Sequence, residues 1–256
     1  MQKIYNEMIS SIMGLFPTTK SRSILLFLVL LASIISVSEL LVTHFFTQLI
    51  LERDVVDESK TNYLLIFFFI FLALTRFGHY LQRIYRLKLF DKTFKNNKKN
   101  KSLTEDSWQW ALAFELSTIL GVIMQLIAIV IFFIFLNISY GLINFFIVVI
   151  VLQWLSYLFS QQIKTQKSFS KAYKNNKSVS NSVKVMARIK SGEIGVLIAG
   201  AGFLLSIGIL IYFSFGQFIS PAHSIVLFFG IKMQSSSLSM LSTSLMRFAR
   251  ARVNSE

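Results

Sequence analysis

No cysteine occurs anywhere in the 256 residues, so a disulfide framework, a cysteine-based metal site, a cysteine nucleophile and iron–sulfur ligation are all excluded. No stretch matches the phosphate-cradling pattern GxxxxGK[ST], so these residues do not themselves hold the phosphates of ATP. Helix breakers are scarce, with two prolines and eleven glycines, and acids are scarce too, at twelve against 26 Lys and Arg. The resulting charge of +14 does not point to nucleic acid. No aromatic-interleaved binding module or zinc-finger spacing is present, and the charges sit between apolar segments. Of three histidines only His44 and His79 fall in or near a common pair of helices, which does not make a metal site. Paired carboxylates and nucleophile–base spacings are missing as well, and this disfavours an intramembrane enzyme.

What is present is apolar. Hydrophobic residues make up 54% of the chain and phenylalanine alone fills 26 positions, the composition of an all-α, polytopic membrane protein. Runs long enough to cross a bilayer core of about 30 Å lie near 24–51, 63–82, 111–136, 140–160 and 194–215, with a weaker one at 222–246. The first is too long for a signal-peptide core and reads as a retained span. The connections alternate in charge. Segments 83–101 and 164–190 carry eight Lys or Arg each, 52–62 has four acids against two bases, and 137–141 and 216–223 have no charge. By the positive-inside rule the basic segments and both termini are cytoplasmic, which predicts a multi-pass protein of the cell membrane.

The opening "MQKIYNEMISSIMGLF" puts Ile4, Met8, Ile12 and Leu15 on one helical face before Pro17 ends the segment. Residues 1–23 therefore read as an interfacial amphipathic helix on the cytoplasmic leaflet, 24–246 as a six-helix transmembrane domain, and 247–256 as a cytoplasmic tail. Ser102 and Glu105 have capping-box spacing, so the third span starts near Leu103 and runs to about Leu136, well beyond what the membrane needs. Two cytoplasmic helical hairpins follow, with tips near 92–102 and 171–180. They turn at matching strings, Lys95, Asn96, Asn97, Lys98 and Lys174, Asn175, Asn176, Lys177. Lysine and asparagine suit helix ends, so the repeat is either cap chemistry or a pair of equivalent tips offered to one cytosolic partner.

These features together resemble the membrane domain of a six-helix ATP-binding-cassette exporter. An elbow helix precedes the first span, two helix pairs overrun the membrane, and a last span leads into the cytosol. The fragments "LKLFDKTF", "ARIKSGE" and "LSMLSTSLMRFARARVNSE" are similar to the family's sequences at corresponding places. The resemblance implies a separate ATPase subunit that binds ATP and Mg, docked on the hairpin tips, and a second permease chain, identical or related. It also suits Arg247, Arg250 and Arg252 to docking that ATPase, although lipid phosphates fit them as well. The family's coupling segment is reduced here to "NNKKNKS". That departure leaves a second reading open, a non-transporting scaffold or regulatory subunit derived from such a permease.

Polar residues within the spans nominate a substrate pathway. Lys232, Ser236, Ser239 and Thr243 follow helical spacing opposite an apolar face of Ile231, Leu238, Leu241, Leu245 and Phe248, so the polar face should look inward, to other helices or a wet cavity. In the first span Ser36, Glu39 and Thr43 share a face. Counting helical rise, Glu39 lies about 24 Å and Lys232 about 15 Å from the cytoplasmic boundary, so a loose pair is within reach. Arg76, His79, Arg83 and Arg86 form a cationic stripe on the second span, suited either to an anionic substrate group or to lipid headgroups. Trp108, Trp110, Trp154 and Tyr157 read as interfacial anchors.

Overall fold

The computed structural model describes residues 2–51, 58–95, 103–175 and 179–255. Among them run seven helices and no strand: α1 (Gln2–Leu15), α2 (Thr19–Leu51), α3 (Glu58–Lys95), α4 (Leu103–Leu136), α5 (Ile138–Lys174), α6 (Asn181–Phe215) and α7 (Pro221–Asn254). Six of them, α2 to α7, are long and apolar enough to cross a membrane, and the chain is a multi-pass membrane protein.

Local chemistry sets the boundaries. Pro17 separates α1 from α2, and Thr18 Oγ1 accepts the Ser21 amide at 3.3 Å to start the longer helix. Ser180 and Ser220 cap α6 and α7 in the same way, with Pro221 in the first turn of α7. The α4–α5 connection is the single residue Asn137, whose Oδ1 accepts the Tyr140 amide at 2.9 Å. Gly141 is needed there, because a Cβ would lie 2.5 Å from the backbone nitrogen of Ile134. The span expected over 103–136 matches α4 at both ends.

Two apolar clusters fill the bundle. One, at the end carrying the basic segments (hereafter the basic end), includes Phe16, Phe90, Leu116, Leu155, Phe159 and Phe248; the other includes Leu40, Ile129, Phe133, Tyr140 and Leu227. Helices α4 and α7 occupy the centre, and α7 packs against α2, α4, α5 and α6. Its predicted apolar face is buried throughout, from Ile231 to Phe248. Helix α6 meets its neighbours through small buried residues at steps of three and four, Gly192, Gly195, Ala199, Gly202 and Ser206. Ser242 on α7 donates to the Gly192 carbonyl at 3.0 Å. Helix α3 is peripheral: 11% of its most apolar window is buried, against 44% in α4 and α7. It is held to α2 by stacking of Phe67 and Phe71 on Phe45, and at the basic end by Phe90 against Phe16 and Phe114.

Two terminal features differ from the sequence reading. The apolar face of α1 is turned onto the bundle, with Met8 and Leu15 buried and contacts to α4 and α5, so the bundle takes up much of the surface expected to rest on lipid. The residues assigned to a tail, 247–254, continue α7, and Phe248, Ala249, Ala251 and Val253 are buried. Arg252 Nε sits 3.2 Å from Glu7 Oε2 and fastens α7 to α1, so one of the three arginines nominated for docking is already engaged within the chain.

Candidate functional site

Helix α7 carries polar residues on two faces. Ser237, Ser242 and Ser244 point into the bundle, where small polar side chains allow close helix packing. The face nominated as a pathway points the other way. Lys232 and Ser236 are exposed, and Ser239 and Thr243 are half-buried. The inward orientation predicted for this face is therefore not found, since the apolar residues claim the contacts with α2, α4 and α6. At 100° per residue, Ile225, Phe229, Lys232, Ser236, Thr243 and Arg247 form one stripe along the whole of α7.

A cleft lies at each end of this stripe. Away from the basic end, Ile225 and Phe229 share a largely apolar groove of about 360 Å³ with Thr43, Phe46, Thr47 and Phe68. At the basic end a cleft of about 530 Å³ opens between α4, α6 and α7, lined by Phe114, Glu115, Thr118, Val196, Ser239, Met240, Thr243, Ser244 and Arg247. Glu115 is largely buried, its side chain 17% exposed, with Arg247 Nη1 at 3.7 Å and the Ser244 hydroxyl donating to it. Arg86 reaches across from α3, donating to Thr118 Oγ1 at 3.3 Å and lying 4.9 Å from the centre of the Phe114 ring. Arg188 on α6 is near enough to Glu115, Arg247 and Arg250 for their charges to interact, and Arg250 stacks over Trp108.

The other nominated residues are dispersed. Glu39 does not pair with Lys232; its Oε1 accepts from His79 Nε2 at 3.1 Å, because α3 packs along α2 and brings His79 to it. Ser36 and Thr43 donate to carbonyls of their own helix, those of Ala32 and Glu39. The predicted cationic stripe is divided: Arg76 and Arg83 are exposed, His79 is bound to Glu39, and Arg86 belongs to the cleft. The His44 ring lies tilted against His223 of α7, 5.7 Å between centres, while His79 meets Glu39. Of the nominated anchors, Trp108 and Trp110 pack against the apolar cluster of the basic end, and only Trp154 and Tyr157 are exposed.

At the hairpins, α3 extends to Lys95, and Asn175 forms a turn just after Lys174. Asn96, Asn97, Lys98, Asn176 and Lys177 lie outside the described residues. The Glu115–Arg247 pair was missed by sequence reading although both residues stand in plain patterns. Glu115 lies four residues into an apolar run, and counting rise from Leu136 and Pro221 sets both toward the basic end, Arg247 about 8 Å farther out, within reach of a long arginine side chain. No protein-family model matches the chain, and no curated protein matches it.

Proposed function

We propose that this chain is the membrane-spanning permease subunit of an ATP-driven exporter of the ATP-binding-cassette type. Its basic segments lie in the cytoplasm, and it couples through the hairpin tips to a separately encoded ATPase. The observation that carries this reading is the uncovered α7 stripe. Lys232 stands about 17 Å along α7 from Pro221, close to the middle of a hydrocarbon layer of about 30 Å. A lysine facing lipid there costs about 2.5–3.5 kcal/mol on insertion scales. Water in a pathway relieves that cost, and a second permease chain, identical or related, encloses the water. Arg76, exposed on the peripheral α3, makes the same demand.

In this scheme Lys232, Ser236, Ser239 and Thr243 line the pathway, with Glu39 and His79 as a positioning pair beside it. ATP and Mg bind the partner, and no bond is made or broken in this chain. One observation favours the alternative of a non-transporting scaffold: α7 closes onto α1 through Arg252 and Glu7, which leaves the hairpins as the main remaining contact for an ATPase.

Affinity purification from native membranes in a mild detergent separates the two. An ATPase should co-elute in stoichiometric amount, with Mg-dependent ATP hydrolysis. Replacing Lys95, Asn97 and Lys98, or Lys174, Asn176 and Lys177, with alanine should remove it without loss of membrane insertion. Recovery of the chain with no ATPase, or triple variants that keep it at wild-type level, would turn the choice to the scaffold.

A further inference from the structure

We propose that the cleft between α4, α6 and α7 binds a phosphate-bearing amphiphile, whose headgroup is received by Arg247 and Arg188 in competition with Glu115. Three observations converge on this ligand class. The first is charge. Three arginines, Arg86, Arg188 and Arg247, stand near enough to the Glu115 carboxylate for their charges to interact, an excess of two positive charges, and Arg250 adds a further cation beside Arg188. The internal acid does not hold Arg247 tightly, since their separation is 3.7 Å and the arginine side chain is 61% exposed. Tight charge-assisted pairs close to about 2.7–2.9 Å. The Ser239 hydroxyl lines the same space and supplies a neutral donor, while those of Thr118 and Thr243, which donate to carbonyls of their own helices, offer acceptor oxygens.

The second observation is depth. Glu115 lies about 31 Å along α4 from Leu136 and Arg247 about 39 Å along α7 from Pro221, so the arginines stand just beyond a hydrocarbon layer of about 30 Å, level with headgroups. The third is the apolar wall. Phe114, Val196 and Met240 line the cleft beside the charged groups, so an anion carrying a hydrocarbon chain fits both parts of the lining and a bare anion fits only one. The volume of about 530 Å³ suits a headgroup with the first methylenes of its chains. Glu115 then acts as a built-in occupant of Arg247 that the ligand displaces. Binding belongs to this chain alone and needs no ATPase; only the further step, that the bound amphiphile is transported, rests on the permease reading.

The test is binding of dioctanoyl phosphatidic acid to the purified full chain in an uncharged detergent, followed by native mass spectrometry. Dioctanoylglycerol supplies the chains without phosphate and inorganic phosphate supplies the anion without chains. Saturable binding of the phosphatidic acid is expected, with both controls weaker by about tenfold or more. Arg247→Gln and Arg188→Gln should each weaken it by about tenfold, while Glu115→Gln should tighten it by roughly threefold, because the competing carboxylate is gone. Lys167→Gln, exposed on α5 and outside the cleft lining, should change nothing. Thr243→Trp fills the cleft from a half-exposed position and should abolish binding even if an arginine variant fails to fold. Inorganic phosphate binding as tightly as the lipid would replace the amphiphile by a soluble anion. Non-saturating uptake, unchanged affinity in Thr243→Trp, or weaker binding in Glu115→Gln would overturn the site.

Discussion

Removing residues 247–254 should cost the folded protein itself, and not merely a contact with a partner. Phe248 is fully buried and packs, tilted, against Phe159 at 6.1 Å between ring centres, Ala249 and Ala251 are buried beside it, and Val253 closes the last turn. Losing one buried phenylalanine costs about 3–5 kcal/mol, against a net stability of about 5–15 kcal/mol for a whole domain. The deletion removes that residue, its buried neighbours and the Arg252–Glu7 tie together. Gel filtration of the truncated chain should show little monodisperse protein, and Phe248→Ala should lower the unfolding temperature to an intermediate value. Arg252→Glu should destabilise less, and Glu7→Arg in the same chain should restore part of the loss. Wild-type yield and unfolding temperature after truncation would mean that the segment is a free tail after all.

The second large effect is expected at the α6–α7 seam. A Cβ at Gly195 would fall against the Ser242 side chain and 2.8 Å from Leu155 Cδ2, both in the packed interior, so α6 must move away from α5 and α7. Gly195→Ala should destabilise by about 1–3 kcal/mol through overpacking, and Gly195→Leu by more. Gly200 and Gly208 stand on the same helix with nothing within 4 Å of an added Cβ. Gly200→Ala should therefore be neutral, or stabilising by up to about 1 kcal/mol, since glycine is the poorer helix former. Thermal unfolding of these variants in one detergent decides the matter: equal losses at 195 and 200 would show that helix propensity, and not close approach, governs this helix.

The contrast between these sites shows what one sequence makes legible. Periodicity and capping chemistry locate the helices well, as at Leu103, where an apolar run and a serine–glutamate spacing agree. Apolar periodicity also identifies which face of α7 is buried. It does not say what lies opposite the other face, so the polar pattern predicts Lys232 inward while the structure leaves it exposed. Rise per residue gives depth but not azimuth, and Glu39 went to His79 on its hairpin neighbour for that reason. At Glu115 depth sets the acid at the same end of the bundle as Arg247, some 130 residues away, yet an isolated acid near the start of an apolar run gives no sign of its partner. Burial of α7 to its end was hidden because three arginines dominate the segment, while Phe248, Ala249, Ala251 and Val253 keep helical spacing between them.

The reading of this chain as the wall of a pathway depends on whether the α7 stripe meets water. The absence of cysteine makes the measurement clean, because each introduced thiol is the only one in the chain. Ser236→Cys and Thr243→Cys, in native membranes, should react with a charged, membrane-impermeant thiol reagent, since the thiolate forms only where water reaches it. Leu204→Cys and Leu197→Cys, strongly exposed on α6 on a surface expected to face lipid, should stay unlabelled although Thr243 is the less exposed position. Labelling at 236 and 243 with silence at 197 and 204 is the predicted result. If Ser236→Cys is as inert as Leu204→Cys, the stripe is covered by protein or lipid and does not line a pathway.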